Sequence, residues 1–173
     1  NKLIKSKSDS FKRKNIEFSK LINDYLENSK ETNERNKNLS RWTNELFASH
    51  EISSLIDSNK KIIIDSEGFI HRLNSFVMAS NDKLFVKSYL KVCPKPNILI
   101  YVKEDFSVIK ERLENTENYE DKQKYKYTLE NMFNNSQIIY EEMKKYSKKI
   151  FLLNSKNFAD VKNEIIKYIK SLN

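Results

Sequence analysis

The sequence predicts an α/β fold, a three-layer α/β/α sandwich around a parallel sheet. Two observations carry that expectation. Residues 61–65, 97–102 and 150–153 are short runs rich in isoleucine and leucine, of strand length, with the near-continuous apolar character of strands buried on both faces. Stretches with apolar residues at helical spacing separate and follow these runs. Such alternation implies parallel strands joined by right-handed crossovers. Three strands are few for a sheet of this kind, which usually has about five or six, so the sheet is expected to lack a member.

Residues 1–10 show no apolar periodicity and are expected to form a loop or a frayed end. Over 11–26, Phe18, Leu21, Ile22, Tyr25 and Leu26 have helical spacing. The polar stretch 27–38 fits either a solvated continuation of that helix or a connection to the next. Leu39, Trp42, Leu46 and Phe47, then Ile52, Leu55 and Ile56, mark another helix that ends near residues 57–59. The strand at 61–65 stops abruptly in Asp65-Ser66-Glu67-Gly68, and two short helices follow at 69–79 and 83–92. Pro94 and Pro96 break the chain before the second strand. Phe106, Ile109 and Leu113 predict a helix with Asp105 as its cap; residues 115–123 are loop-like. A long helix then runs to about Tyr146, carried by Leu129, Met132, Phe133, Tyr140 and Met143. After the strand at 150–153, Val161, Ile165, Ile166, Ile169 and Leu172 stripe a closing helix. All this is expected to form a single domain over 1–173, with a helical segment at 1–58 and a sheet core at 59–173.

Composition limits the classes of function. The chain has 173 residues, 38% hydrophobic and 32% charged, which suits a globular domain rather than a disordered chain. Its longest apolar run, 98–102, is far short of the roughly 20 residues of a membrane helix. Nothing resembles a signal peptide. The single cysteine, Cys93, has no internal partner, so a cytoplasmic setting is expected. A net charge of +8 invites a nucleic-acid partner, but the excess is lysine spread along the chain among 24 acidic residues, as solvated helix faces would give. No membrane partner is expected, nucleic acid is disfavoured, and a homodimer is compatible with the composition.

Ligands of open parallel sheets bind beyond the carboxyl ends of the strands. The first strand delivers Asp65, Ser66, Glu67 and the chain's one glycine, Gly68, to that edge. Asp65 can hold a Mg²⁺ shell or take a proton from an attacking hydroxyl, with Glu67 beside it. Gly68 permits a close backbone approach to a substrate. The structural alternative is that both carboxylates cap and polarise the following helix. Arg72 suits a phosphate on an acceptor substrate, or a surface ion pair. His71 has no nearby histidine or cysteine and makes no metal site.

The stretch from Asn97 through Ile98-Leu99-Ile100-Tyr101-Val102 to Lys110-Glu111-Arg112-Leu113 resembles a segment of thymidylate-kinase-like and deoxynucleoside-kinase-like P-loop proteins. Ile62-Ile63-Ile64-Asp65-Ser66-Glu67-Gly68 resembles that family's strand ending in Asp-Arg or Glu-Arg. Residues 150–153, then Asn154-Ser155-Lys156-Asn157 and 161–172, are similar to its last strand, nucleobase loop and final helix. The resemblance spans residues 60–173 and implies a P-loop NTPase-like fold that phosphorylates a nucleoside, nucleotide or other small acceptor. It implies ATP and Mg²⁺ as cofactors, Asp65 and Glu67 as catalytic, and Gly68 and Arg72 as acceptor-binding. Residues 114–126 would be a lid, with Arg112, Lys122, Lys124 and Lys126 neutralising phosphate. Asn154 to Asn157 would flank the base, with Asn154 and Lys156 binding the nucleotide.

Three departures from the family are plain. One glycine excludes the loop G-x-x-x-x-G-K-[S/T] from this chain. Ser66 stands where the family has arginine, and the lid region begins Glu114-Asn115-Thr116-Glu117-Asn118 rather than with arginines. A chain starting at Asn1 and lacking the central strand is expected either to be preceded by roughly 30–60 residues, a βαβ unit's worth, or to pair its strands differently. The alternatives are a non-catalytic binding or assembly protein, a nucleic-acid-associated basic protein and a sulfotransferase.

Overall fold

The computed structural model describes residues 2–56, 68–78, 82–115 and 129–172. Eight helices and one two-stranded parallel sheet lie among them. The expected three-layer sandwich with a P-loop-like parallel sheet is therefore corrected: the protein is mostly helical. Two strands of four residues each are too small a ladder to serve as the middle layer of such a fold. The third expected strand, 61–65, lies outside the described residues. The chain divides into two compact units, Asn1–Phe76 with Leu84–Pro94, and Val77–Lys83 with Lys95–Asn173.

The first unit is built from α1 (Lys2–Lys14), α2 (Ile16–Asn28), α3 (Asn33–Ser53), α4 (Phe69–Val77) and α5 (Lys83–Val92), the boundary residues of α4 and α5 excepted. Residues 2–10, expected as a loop, are helical. Lysine is a good helix former, and the inward face of α1 needs only Ser8 and Phe11, 2% and 0% exposed. Polar links fasten it to α3: the Ser8 hydroxyl donates to Asn44 Oδ1 at 2.8 Å, and Ser10 donates to Glu51 at 2.8 Å. Lys14 pairs with the same carboxylate. Both donors hold the Glu51 carboxyl below its ordinary range, Lys14 most strongly and Ser10 next, against the opposing pull of burial.

The helix expected over 11–26 is interrupted at Asn15, whose amide returns to the Phe11 carbonyl at 3.0 Å. The polar stretch 27–38 resolves into a break and a new start. Ser29 is extended, and Thr32 caps α3 by accepting from the Arg35 N–H at 3.2 Å.

Aromatic rings form the core of this unit. Phe11 stacks on Phe47 at 4.4 Å and on Phe69 at 5.5 Å, and Phe18 meets Phe69 and Tyr89 edge-on. Tyr25 lies against Phe76 and Phe85. The buried phenol of Tyr89 and the half-buried one of Tyr25 find carbonyl acceptors: Tyr89 donates to Phe69 at 2.9 Å and Tyr25 to Phe76. Burial pushes the Tyr89 hydroxyl well above its ordinary pKa, so it remains a neutral donor.

The second unit contains β1 (Leu99–Val102), α6 (Phe106–Glu114), α7 (Leu129–Met143), β2 (Ile150–Leu153) and α8 (Phe158–Lys170). The strands run parallel in the register Leu99↔Ile150 to Val102↔Leu153, as a crossover through α6 and α7 permits. Tyr101 stacks on Tyr140 of α7 at 4.3 Å and shares a hydrogen bond with Ser136 at 3.1 Å. Phe151, 3% exposed, meets Tyr168 of α8 at 5.8 Å. Ile139, Met143 and Val161 are buried alongside. Asn135, 1% exposed, donates to the Val77 carbonyl at 2.7 Å and so satisfies a buried backbone group.

Candidate functional site

The carboxyl ends of β1 and β2 bring two loops together. The ladder continues one step past β1, where the Lys103 N–H donates to the Leu153 carbonyl at 2.8 Å. Glu104 follows. Its carboxylate accepts from the Ser155 N–H at 2.5 Å and from the Ser155 hydroxyl at 3.2 Å. One carboxylate thus bridges the loop after β1 to the loop after β2.

The second loop is organised by its own asparagines. Asn154 Oδ1 accepts from the N–H groups of Lys156 and Asn157, both at 2.9 Å. Asn157 Oδ1 accepts from the Asn154 N–H at 2.7 Å, and its amide donates to the Leu152 carbonyl at 3.1 Å. Asparagine suits this work because its short side chain reaches backbone groups two or three residues away. Asn157 also precedes the first turn of α8, its carbonyl accepting from the Val161 N–H at 3.0 Å. The backbone of 154–157 is therefore held by side chains, while Ser155 and Lys156 stay exposed. Lys103 and Lys156, both exposed, and the half-buried Asn154 belong to these two loops. That set can pair with phosphate charge and donate hydrogen bonds to a base.

The other expected site residues fall in several places. Asn154 and Lys156 share the turn just described. Arg112 is exposed in the last turn of α6, where the helix dipole favours a cation. Gly68 and Arg72 belong to the first unit, a helical turn apart, with the Arg72 N–H donating to the Gly68 carbonyl at 3.0 Å. The Arg72 guanidinium lies over the Trp42 ring at 5.3 Å. Arg35 approaches the same ring at 5.7 Å and donates to the Ser75 carbonyl at 2.8 Å. Asp65, Glu67, Lys122, Lys124 and Lys126 lie outside the described residues.

The sequence did not single out Glu104 at the strand edge, nor Arg35 and Trp42 beside Arg72, whereas Ser155 and Asn157 fall within the loop expected over 154–157. The Asn154-x-x-Asn157 spacing was a usable signal for the turn. Glu104 carried none, since its partner is 51 residues away. Among the described residues, no group of three or more His, Cys, Asp or Glu side chains could hold a metal ion. Asp65, the residue that the resemblance assigns to Mg²⁺, lies outside the described residues, and no described helix is long and apolar enough to cross a membrane. No protein-family model, curated protein or solved structure matches the chain.

Proposed function

We propose that the second unit binds a nucleotide at the carboxyl edge of its parallel strand pair and serves phosphoryl transfer from ATP to a small acceptor. The observation that carries this reading is the in-register β1–β2 ladder with its two following loops joined by Glu104 and Ser155. Loops at the carboxyl ends of adjacent parallel strands are where open α/β units hold their ligands. The resemblance supplies the activity class and the nature of the donor; the geometry supports the place of binding. In this reading Asn154 and Lys156 flank the base, and Arg112 neutralises phosphoryl charge. Phosphoryl transfer relies mainly on positioning and electrostatics, so few side chains need take part. No step through Mg²⁺ is derived, because Asp65, the residue that the resemblance assigns to it, lies outside the described residues.

The test is titration of the full chain with a fluorescent ATP analogue. Asn154→Ala and Lys156→Ala are each expected to weaken binding about three- to tenfold, the loss of one hydrogen bond or one charge contact. Absence of binding at millimolar nucleotide, or unchanged affinity in both variants, refutes the site. Binding that never leads to ATP turnover leaves a non-catalytic binding protein and refutes the phosphotransferase activity.

A further inference from the structure

The outward face of α1 carries charge that the sequence alone could not place. Six cations, Lys2, Lys5, Lys7, Lys12, Arg13 and Lys14, fall within thirteen residues against one acid, Asp9, in a chain of net charge +8. Ser8 and Phe11 face the core, which fixes the orientation of the helix. Lys14 is engaged by Glu51, and Lys7 lies within the electrostatic reach of the same carboxylate. Lys2, Lys5 and Arg13 are exposed, and with Ser6 and Asp9 they line one shallow open depression.

We infer that this face of α1 binds the phosphate backbone of a nucleic-acid duplex without regard to sequence. The dimensions exclude a single small anion as the natural occupant. Lys2 and Arg13 stand eleven residues apart, about 16 Å along a helix, and a duplex presents a phosphate charge every ~1.7 Å of its axis. A membrane surface fits less well. Helices that lie on lipid bury an apolar face among the headgroups, whereas α1 turns Phe11 into its own unit, exposes one large apolar side chain, Leu3, and lines the depression with polar side chains only. The absence of any aromatic ring among those lining residues argues against stacking on single strands and for contact with backbone phosphates alone. Asp9 sits within the strip and lowers its net charge, which suits weak, sliding contact. This inference does not depend on nucleotide binding in the second unit, since it involves α1 only.

The test measures binding of the full chain to a fluorescently labelled, mixed-sequence DNA duplex across a salt series. Neutralisation of three phosphates by Lys2, Lys5 and Arg13 predicts a slope of about −2.7 in log K against log salt, or a roughly 40-fold loss between 50 and 200 mM. The Lys5→Gln/Arg13→Gln variant removes two of these contacts, so its slope should fall to about −0.9 and its loss to about three- or fourfold. Lys5→Arg/Arg13→Lys should keep the parental slope. Lys167→Gln/Lys170→Gln, in the last turn of α8, removes as much charge elsewhere and should also leave the slope unchanged. The inference is overturned by failure to bind duplex at 50 mM salt, by equal slopes in the Lys5/Arg13 and Lys167/Lys170 variants, or by binding to anionic phospholipid vesicles but not to duplex. Circular dichroism checks that each variant folds; should Lys5→Gln/Arg13→Gln fail, Lys2→Gln/Lys5→Gln takes its place with the same expected slope.

Discussion

Phe11 is the residue through which α1 joins the aromatic core, so Phe11→Ala probes whether residues 2–14 pack as a helix. The ring is fully buried. It stacks on Phe47 at 4.4 Å and Phe69 at 5.5 Å, and meets Phe18 and His50 edge-on at 6.4 Å and 5.3 Å. Truncation of such a ring to alanine costs about 3–5 kcal/mol, because the lost transfer free energy is joined by a cavity that rigid neighbours cannot fill. Phe11→Leu keeps most of the volume but loses the ring contacts, so its cost should be about 1–2 kcal/mol. Urea titration followed by the fluorescence of Trp42, the chain's one tryptophan, reads the unit that contains Phe11. The midpoint should fall in the order parent, Phe11→Leu, Phe11→Ala, with similar slopes. A loss below about 1 kcal/mol for Phe11→Ala, or equal losses in the two variants, would refute the packing of α1 on α3 described above.

Two further outcomes test the polar links. Glu51 has a folded pKa lowered from 4.5 by its bonds to Lys14 and Ser10, so its contribution is present above the unfolded value and lost as pH falls through the folded one. Urea midpoints recorded between pH 3 and 6 should therefore decline more steeply with acidity in the parent than in Glu51→Gln; parallel curves would refute the role of this carboxylate. Glu104→Ala should release the Ser155 amide. The expected gain in its hydrogen-exchange rate is about two- to tenfold, as loss of one exposed hydrogen bond implies, and unchanged exchange would show that the bridge does not persist in solution.

Local pattern made much of the element order legible. The run 97–102 contains β1 at Leu99–Val102, and 150–153 coincides with β2. Phe85 and Tyr89, four residues apart and so on one face of the helix expected over 83–92, are both buried. The polar helix α1 was not legible. Only Ser8 and Phe11 are buried along it, too few for a periodic signal, and its fixation depends on Asn44 and Glu51 far along the chain. The architecture was misjudged for a related reason: short apolar runs show that strands exist, while the size of a sheet depends on which strands pair.

The candidate site divides in the same way. Asn154 and Lys156 are singled out in the sequence by the resemblance of 150–157 to a last strand and nucleobase loop. Their turn was within reach as well, since Asn154 and Asn157 act over three residues. Glu104 was not, because only the parallel register of β1 with β2 brings its carboxylate to Ser155. Charge shows the contrast most clearly. The sequence by itself determined how many cations the chain carries and that six of them crowd residues 2–14. The tertiary structure decided that Lys14 would be spent on Glu51 while Lys2, Lys5 and Arg13 face outward. Helical periodicity ranks residues by angle around an axis, and only packing against α3 decides which angle meets water.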